Sequence, residues 1–170
     1  MTSEDSAMFD DLLTANQTYA SGFDLAGLTP SAARGLAVLT CIDSRIEPLA
    51  MLGLVPGDAK ILRNAGARVT DDSERSLILA AHLLGVTRIA VVAHTNCRMA
   101  GASDAEIRQE IASLSGASTD AWEPLAIDNQ EVTLAADIAR LRACPLLPSE
   151  IAIGGFIYDV DTGTLSLVTS

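Results

Sequence analysis

Three short apolar segments, separated by stretches with helical character, most constrain what this chain can fold into. They cover residues 35–40, 60–63 and 88–93, and each is too short to be read as a helix. Short apolar runs of this kind are typical of strands that are buried on both faces of a sheet. Because helices are expected between them, the segments predict a mostly parallel sheet in an α/β fold.

Helices are predicted between and after these segments. Apolar side chains recur on one face over residues 5–20, and N-cap residues at 71–73 open a helix that Gly85 stops. Ser103–Glu106 and Asp128–Glu131 match the capping-box pattern that marks helix starts. The predicted helices cover residues 5–20, 71–84, 103–113 and 128–143.

The last part of the chain completes the predicted architecture. A fourth strand is expected over 150–158, and a turn at 161–163 leads into a last strand over 165–168. We therefore expect a central sheet flanked by helices, with a C-terminal hairpin at one edge and an N-terminal helical arm over 1–25. The length of 170 residues indicates a single domain over 1–170.

The charge balance of the chain excludes several classes of partner. The chain has 22 acidic and 11 basic residues, a net charge of −11, which repels phosphate backbones and anionic membranes. We therefore expect neither a nucleic-acid nor a membrane partner. No apolar run reaches the roughly 18 residues of a membrane span. The acidic start lacks the pattern of a signal peptide, so we expect a cytoplasmic protein.

Cysteine and histidine follow two of the predicted strands directly. Cys41 comes after the first strand, and His94-x-x-Cys97 follows the third. Because ligand sites lie at the carboxyl ends of parallel strands, these three side chains are expected to meet. Three such ligands with an open fourth position are typical of a catalytic zinc site. The remaining soft ligands, Cys144 and His82, follow no strand, and we expect structural roles for them.

Asp43 and Arg45 continue the first of these motifs. Spacing by two places Cys41, Asp43 and Arg45 on one side of the chain if the backbone stays extended. An arginine fork can hold a carboxylate in a bidentate grip and keep it ionised. The fourth metal position is then available to water or to Asp43.

Three other interpretations of the cysteines compete with a metal site. Each of these cysteines could be a buried small apolar residue, and His94 a hydrogen-bonded loop residue. A redox motif is disfavoured because no C-x-x-C is present. A cysteine phosphatase needs arginine six residues after its nucleophile, where this chain has Glu47.

The motifs, in their order and separation, resemble those of the β-class carbonic anhydrase family. The resemblance covers roughly residues 30–170, and the short chain is most similar to a compact branch that also includes hydrolases of carbonyl sulfide and carbon disulfide. The motifs are Cys41-x-Asp43-x-Arg45, Arg63-Asn-Ala-Gly66, His94-x-x-Cys97 and Gly154-Gly155-Phe156-Ile157-Tyr158.

The resemblance implies specific roles for the motif residues. Cys41, His94 and Cys97 would be the ligands of one Zn²⁺ per chain. Asp43 and Arg45 would form the catalytic Asp–Arg dyad, with Asp43 as a conditional fourth zinc ligand when the dyad opens. The implied assembly is a homodimer or a dimer of dimers, in which the N-terminal arm embraces a second subunit.

The implied activity is reversible hydration of carbon dioxide to bicarbonate and a proton through a zinc-bound hydroxide, which makes the chain a zinc lyase. Ala65 and Gly66 could line the carbon dioxide pocket, or Gly66 could simply turn the backbone. The sequence departs from the family at Arg98, where glycine is common, and at Asn96, where the compact branch often has aspartate. Both changes leave the ligands intact and bear on pocket shape and rate.

Three further functions stay open beside the leading one. A hydrolase of carbonyl sulfide or carbon disulfide would use the same zinc site, because pocket access rather than the metal selects the substrate. A non-catalytic zinc-binding regulator is disfavoured by Asp43 and Arg45, which a structural zinc does not need. A metal-free thiol protein is the remaining alternative.

Overall fold

The structure is a computed structural model that describes residues 7–168. The helices are α1 (Asp10–Ser21), α2 (Pro48–Met51), α3 (Asp71–Leu83), α4 (Asp104–Ser115) and α5 (Gln130–Ala143). The strands are β1 (Leu36–Cys41), β2 (Ala59–Asn64), β3 (Arg88–His94), β4 (Ala152–Tyr158) and β5 (Leu165–Val168). Short 3₁₀ turns lie at Ala65–Ala67 and Arg98–Ala100.

The five strands form one sheet in the order β2-β1-β3-β4-β5. The first four strands run parallel, and β5 pairs antiparallel with β4 to form the hairpin edge. The prediction of a mostly parallel sheet with a C-terminal hairpin is therefore confirmed. Since β1 and β3 are neighbours, the carboxyl ends that carry Cys41 and His94 lie side by side.

Side chains of the central strands point alternately to the two faces of the sheet. Ala37 and Leu39 of β1 join the larger core, in which buried side chains of α3 and α5 cover the sheet. Val38, between them, points to the opposite face, where α2 contributes Met51 to a smaller apolar cluster. The second face is thus covered by much less of the chain than the first.

A glycine in β4 allows α5 to lie close to the sheet. A Cβ atom at Gly155 would overlap Cδ1 of Ile138 and press on Leu134, both of which belong to α5. Close approach of a helix to a strand requires a residue without a side chain at such a position. The interlocking fixes α5, and with it Gln130 at the amino end of this helix, relative to β3 and β4.

One predicted helix start is wrong, one lies outside the described residues, and one short helix was not predicted. The capping box at Asp128–Glu131 is wrong: α5 begins one residue later than that pattern requires, and Asn129 accepts the capping hydrogen bond from the Val132 amide. The N-terminal helix begins at Asp10 within the described residues, and the predicted start at residue 5 lies outside them. Helix α2 was not predicted. In contrast, the capping box of α4 at Ser103 and Glu106 is confirmed.

None of the helices in residues 7–168 combines the length and the apolar character that a membrane-spanning segment needs.

Candidate metal centre

Two neighbouring strand ends bring the predicted ligands together. Cys41 is the last residue of β1, His94 is the last residue of β3, and Cys97 follows after a two-residue loop. The two sulfur atoms and a ring nitrogen of His94 all lie within 4.8 Å of one another, and all three residues are buried. This set is the one that the motif spacing predicts.

The imidazole of His94 is oriented for binding an ion. Its Nδ1 lies 2.8 Å from the carbonyl oxygen of Thr95, which can only accept, so Nδ1 carries the proton. In the neutral ring the lone pair is then on Nε2, which is buried and has no hydrogen-bond partner among the described residues. A buried, unpartnered acceptor is costly unless something binds it, and this atom faces two sulfurs. A metal ion between the three atoms satisfies it.

The two cysteines differ in how their thiols are held. The Cys97 thiol donates toward Cys41, and the Gly66 amide donates to the Cys41 sulfur at 3.3 Å. The hydrogen bond from Cys97, together with the one from the Gly66 amide, lowers the pKa of Cys41. The same bond raises the pKa of Cys97, because it favours the protonated thiol there. Thiolate and neutral imidazole are the donors that zinc prefers, so the residues fit this metal.

Asp43 and Arg45 form a bidentate pair beside the three ligands. The Arg45 Nε and Nη2 atoms donate to the two carboxylate oxygens of Asp43 at 2.9 and 2.7 Å. The side-chain hydrogen bonds from Arg45 hold the pKa of Asp43 below its ordinary range. Asp43 Oδ2 lies 4.0 Å from His94 Nε2, so the carboxylate borders the space between the ligands.

The backbone that carries this pair is turned rather than extended. The Ile46 amide donates to the Asp43 carbonyl oxygen at 3.1 Å, and the Arg45 amide donates to an Asp43 carboxylate oxygen at 3.0 Å. The condition of an extended chain, on which the shared side of Cys41, Asp43 and Arg45 depended, is therefore not met at Arg45. The turn folds Arg45 back over Asp43, which produces the predicted pairing by a different geometry.

Two side chains that carry no predicted site role hold the backbone of the site. Arg63 donates to the carbonyl oxygens of Cys41 and Asp43 at 2.9 and 2.6 Å. Gln130, at the start of α5, donates to the carbonyl oxygen of His94 at 2.5 Å. Arg63 lies in a motif that the sequence singles out, but a bond to a main-chain oxygen leaves no signature in residue spacing.

The residues expected in the substrate pocket occupy the 3₁₀ turn after β2. Ala65 is exposed and Gly66 is buried. Gly66 has φ +79, and its amide bonds the Cys41 sulfur, so this glycine both turns the backbone and serves the metal centre. Arg98, a departure from the family pattern, pairs with Glu110 of α4 at 2.8 Å instead of reaching the ligands.

His82 and Cys144 lie away from the metal centre, as expected. His82 Nε2 is 2.8 Å from the carbonyl oxygen of Leu146. The Cys144 thiol bonds Glu74, whose pKa it lowers together with Arg140. Neither side chain belongs to the group of potential metal ligands in the described part of the chain.

The three potential ligands lie in a region that matches a known protein family. A family model described as "Carbonic anhydrase" matches residues 36–143, which include all three potential ligands. The chain belongs to the β-carbonic anhydrase family. Zinc is therefore the metal of this site.

The similarity extends along most of the chain. Beta-carbonic anhydrase 1 of Mycobacterium tuberculosis is 34% identical over 160 residues, which cover 94% of this chain and 97% of that protein. The crystal structure of a carbonic anhydrase from Streptococcus mutans superposes with a TM-score of 0.90 at 39% identity, covering 95% and 97% of the two chains. Carbon disulfide hydrolase of an Acidianus species is 32% identical, covering 78% and 76%.

Proposed function

We propose that this protein catalyses the zinc-dependent, reversible hydration of carbon dioxide to bicarbonate and a proton. The observation that carries the proposal is the group of Cys41, His94 and Cys97 with the Asp43 carboxylate beside it. A purely structural zinc site needs a fourth protein ligand and no ionised carboxylate at its edge. We assign the three residues as the ligands of one zinc ion per chain.

The protein supplies charge balance and a defined geometry to the metal. Two thiolates, from Cys41 and Cys97, and the neutral ring of His94 offset the charge of a divalent ion. Zinc bound to them acts as a Lewis acid and lowers the pKa of water toward about 7. The Gly66 amide and the Thr95 carbonyl hold one sulfur and the imidazole in place.

Asp43 orients the attacking water, and Arg45 keeps Asp43 in its role. The ionised carboxylate accepts a hydrogen bond from the water, which directs a lone pair of the water oxygen toward the carbon of carbon dioxide. Water and carbon dioxide combine to bicarbonate, and one proton leaves to solvent. Both carboxylate oxygens are bonded to Arg45, so Asp43 would have to break these bonds before it could serve as a fourth ligand.

Carbon disulfide is the second candidate substrate, because hydrolases of this compound share the family. The structure of a carbon disulfide hydrolase covers 95% of this chain with a TM-score of 0.68, and the Streptococcus mutans carbonic anhydrase covers the same share with a TM-score of 0.90. The higher structural similarity favours carbon dioxide.

The test is stopped-flow hydration of carbon dioxide with zinc quantified in the same sample. We expect about one zinc per chain and measurable hydration. The variant Asp43→Asn should retain zinc and lose about 100-fold in kcat/KM, since the water is no longer oriented. Asp128→Asn, an exposed change away from the site, is the matched control.

Three results would contradict the proposal in different ways. Zinc-loaded protein that hydrolyses carbon disulfide but does not hydrate carbon dioxide indicates the hydrolase. Zinc without either activity indicates a regulator. Unchanged hydration in the Asp43→Asn variant removes the assigned role of this residue.

We propose further that the protein is a homodimer in which α1 packs on a second subunit. No residue of α1 is buried, and even its apolar side chains are exposed: Leu12 and Leu13 expose 60% and 58% of their surface. A helix of 12 residues is marginal in water without packing. The less covered face of the sheet has a groove of about 480 Å³ with an apolar floor that includes Leu36, Val92 and Phe156.

Charge complementarity supports the packing of α1 from a second copy in this groove. Arg34 and Arg88 line the groove, and neither side chain has an ion-pair partner among residues 7–168. Asp10 and Asp11 lie in the first turn of α1, next to its exposed leucines. An acidic, amphipathic helix from a second copy matches an apolar groove with these two arginines. A dimer of dimers would need a further surface.

We place the protein in the cytoplasm. All three cysteines are free, and two of them are assigned as metal ligands, which a reducing compartment keeps as thiols.

A further inference from the structure

The loop between the metal ligands His94 and Cys97 is fastened to the β4–β5 hairpin. The Thr95 amide donates to the Tyr158 carbonyl oxygen at 2.9 Å, and the Thr95 hydroxyl accepts from the Val160 amide at 3.1 Å. The Asn96 side-chain amide donates to Asp161 Oδ2 at 3.0 Å. The hairpin, which contributes no metal ligand, therefore determines where this loop lies.

Asn96 also contacts the catalytic pair directly. Its carbonyl oxygen accepts a hydrogen bond from Arg45 Nη2 at 3.0 Å, and the same nitrogen donates to Asp43 at 2.7 Å. The position of the Asn96 carbonyl thus helps to set the position of the guanidinium. Asn96 has φ +54, a left-handed conformation that asparagine tolerates better than most residues.

Asp161 is itself held in a rigid turn. Its amide and the Thr162 amide donate to one Asp159 carboxylate oxygen at 2.8 and 3.2 Å. The Gly163 amide donates to the Asp159 carbonyl oxygen at 2.8 Å, which closes the turn. The carboxylate of Asp161 is therefore a fixed acceptor for the Asn96 amide.

We propose that Asn96 and Asp161 are positioning residues that hold Arg45, and through it Asp43, in the catalytic arrangement. The proposal rests on the proposed function and deepens it. Only a donor at position 96 can bond the Asp161 carboxylate. An aspartate there would keep the left-handed backbone but face a second carboxylate at about 3 Å. The repulsion would displace the residue 96 carbonyl and loosen Arg45.

The experiment compares N96D, D161A and the double variant N96D/D161N. In N96D/D161N the donor and acceptor exchange places, so the hydrogen bond is restored with reversed direction. We expect N96D and D161A each to lose roughly three- to tenfold in kcat/KM, with zinc content unchanged, and N96D/D161N to recover most of the loss. The pH profile of kcat/KM should change in N96D and return in the double variant.

The matched control is E110A. Glu110 binds Arg98, the residue after Cys97, and so tethers the same loop without contacting Arg45. We expect E110A to keep wild-type kcat/KM. If the variants act only by loosening the loop, E110A should lose as much kcat/KM as D161A, and that result would overturn the proposal. Wild-type kinetics in N96D would overturn it as well.

A crystal structure of N96D gives a readout independent of turnover. We expect the distance between Arg45 Nη2 and the residue 96 carbonyl oxygen to exceed hydrogen-bond range, with the zinc ligands unmoved. An unchanged Arg45 position overturns the proposal. If the wild-type protein hydrates no carbon dioxide, the proposed function fails, whereas the structure of N96D still decides whether residues 96 and 161 position Arg45.

Discussion

At the scale of single residues, Gly66 shows how one position serves two requirements. Its φ of +79 turns the chain after β2, and the turn aims its amide at the Cys41 sulfur. A Cβ atom at Gly66 would also lie 3.1 Å from Cδ1 of Ile127 and 3.4 Å from Cβ of Met99. The backbone of this residue is therefore constrained by conformation and by space at once.

Substitution of Gly66 by alanine tests this double requirement. Gly53→Ala is the matched control, because Gly53 has φ +63 and a Cβ atom there would meet nothing within 4 Å. Both variants should lose about 1–2 kcal/mol of unfolding free energy through the left-handed conformation. Only Gly66→Ala should also bind zinc more weakly, measured by competition with a chromophoric chelator. Equal zinc affinity in the two variants would contradict the assigned contact.

The sequence predicts the chemical residues of the site better than their supports. Cys41, His94 and Cys97 lie at or just after the carboxyl ends of parallel strands, so the sequence predicts that they share one edge of the sheet. The contacts of Asn96 and Gln130 depend on turn geometry and on the docking of α5, which residue spacing does not encode. For the same reason, the pairing of Asp43 with Arg45 is predicted while the turn that produces it is not.

At the scale of elements, an ion-pair cluster joins α3 to α5. Arg140 of α5 donates to Glu74 and Asp71 of α3, at 2.5 and 2.6 Å. Glu74 is mostly buried, and its pKa is lowered by hydrogen bonds from Cys144 and then from Arg140. A carboxylate with a lowered pKa in the folded state stabilises the fold above its ordinary pKa near 4.5, and this contribution is lost as the pH falls.

The prediction for this cluster is a pH-dependent difference between Glu74→Gln and the wild type. At neutral pH the variant should be less stable by about 1 kcal/mol, and the difference should shrink as the pH drops below about 4. Urea unfolding at several pH values measures it. Asp72→Asn is the control, since Asp72 forms an exposed pair with Arg75 and should change little. A difference that stays constant down to about pH 3 would refute the role of ionised Glu74.

The type of the main elements follows from the sequence more reliably than their ends. Buried strands such as β1 and β3 appear as apolar runs, and the box at Ser103 and Glu106 marks the start of α4. The predicted start of α5 is wrong because Asp128 and Asn129 are both good caps, and residue type does not decide between them. Helix α2 has four residues, too few for any periodic pattern.

At the scale of the whole molecule, we predict a dimer in which α1 of one subunit packs in the groove on the less covered sheet face of the other. Leu12→Ser with Leu13→Ser should convert the proposed dimer to a monomer, because the serines no longer bury apolar surface in the groove. Arg34→Glu with Arg88→Glu should weaken it as well. Light scattering coupled to size-exclusion chromatography measures both.

The controls distinguish packing of α1 in the groove from non-specific association through exposed apolar side chains. Leu114→Ser removes a leucine on α4 that is 79% exposed and lies outside the groove, so the assembly should not change. Adding Asp10→Arg and Asp11→Arg to the double glutamate variant should restore association through the exchanged charges. A wild-type monomer at micromolar concentration would end the proposal.

The sequence predicts the fold class but not which strands adjoin. Alternation of strands and helices indicates a parallel sheet, whereas the place of β1 between β2 and β3 depends on contacts between distant segments. The exposed leucines of α1 fit an amphipathic helix in sequence, and their lack of a partner within the described chain becomes visible only in the structure.

The ligand arrangement ties cofactor supply to the survival of the folded chain. Cys41 and the His94–Cys97 pair belong to adjacent central strands that are far apart in sequence, so an ion held by all three acts as a cross-link in the folded state only. An unfolded chain offers no such cage, and each increase in free zinc therefore shifts the folding equilibrium by mass action. In a cell short of zinc, the amount of intact protein should fall along with its activity.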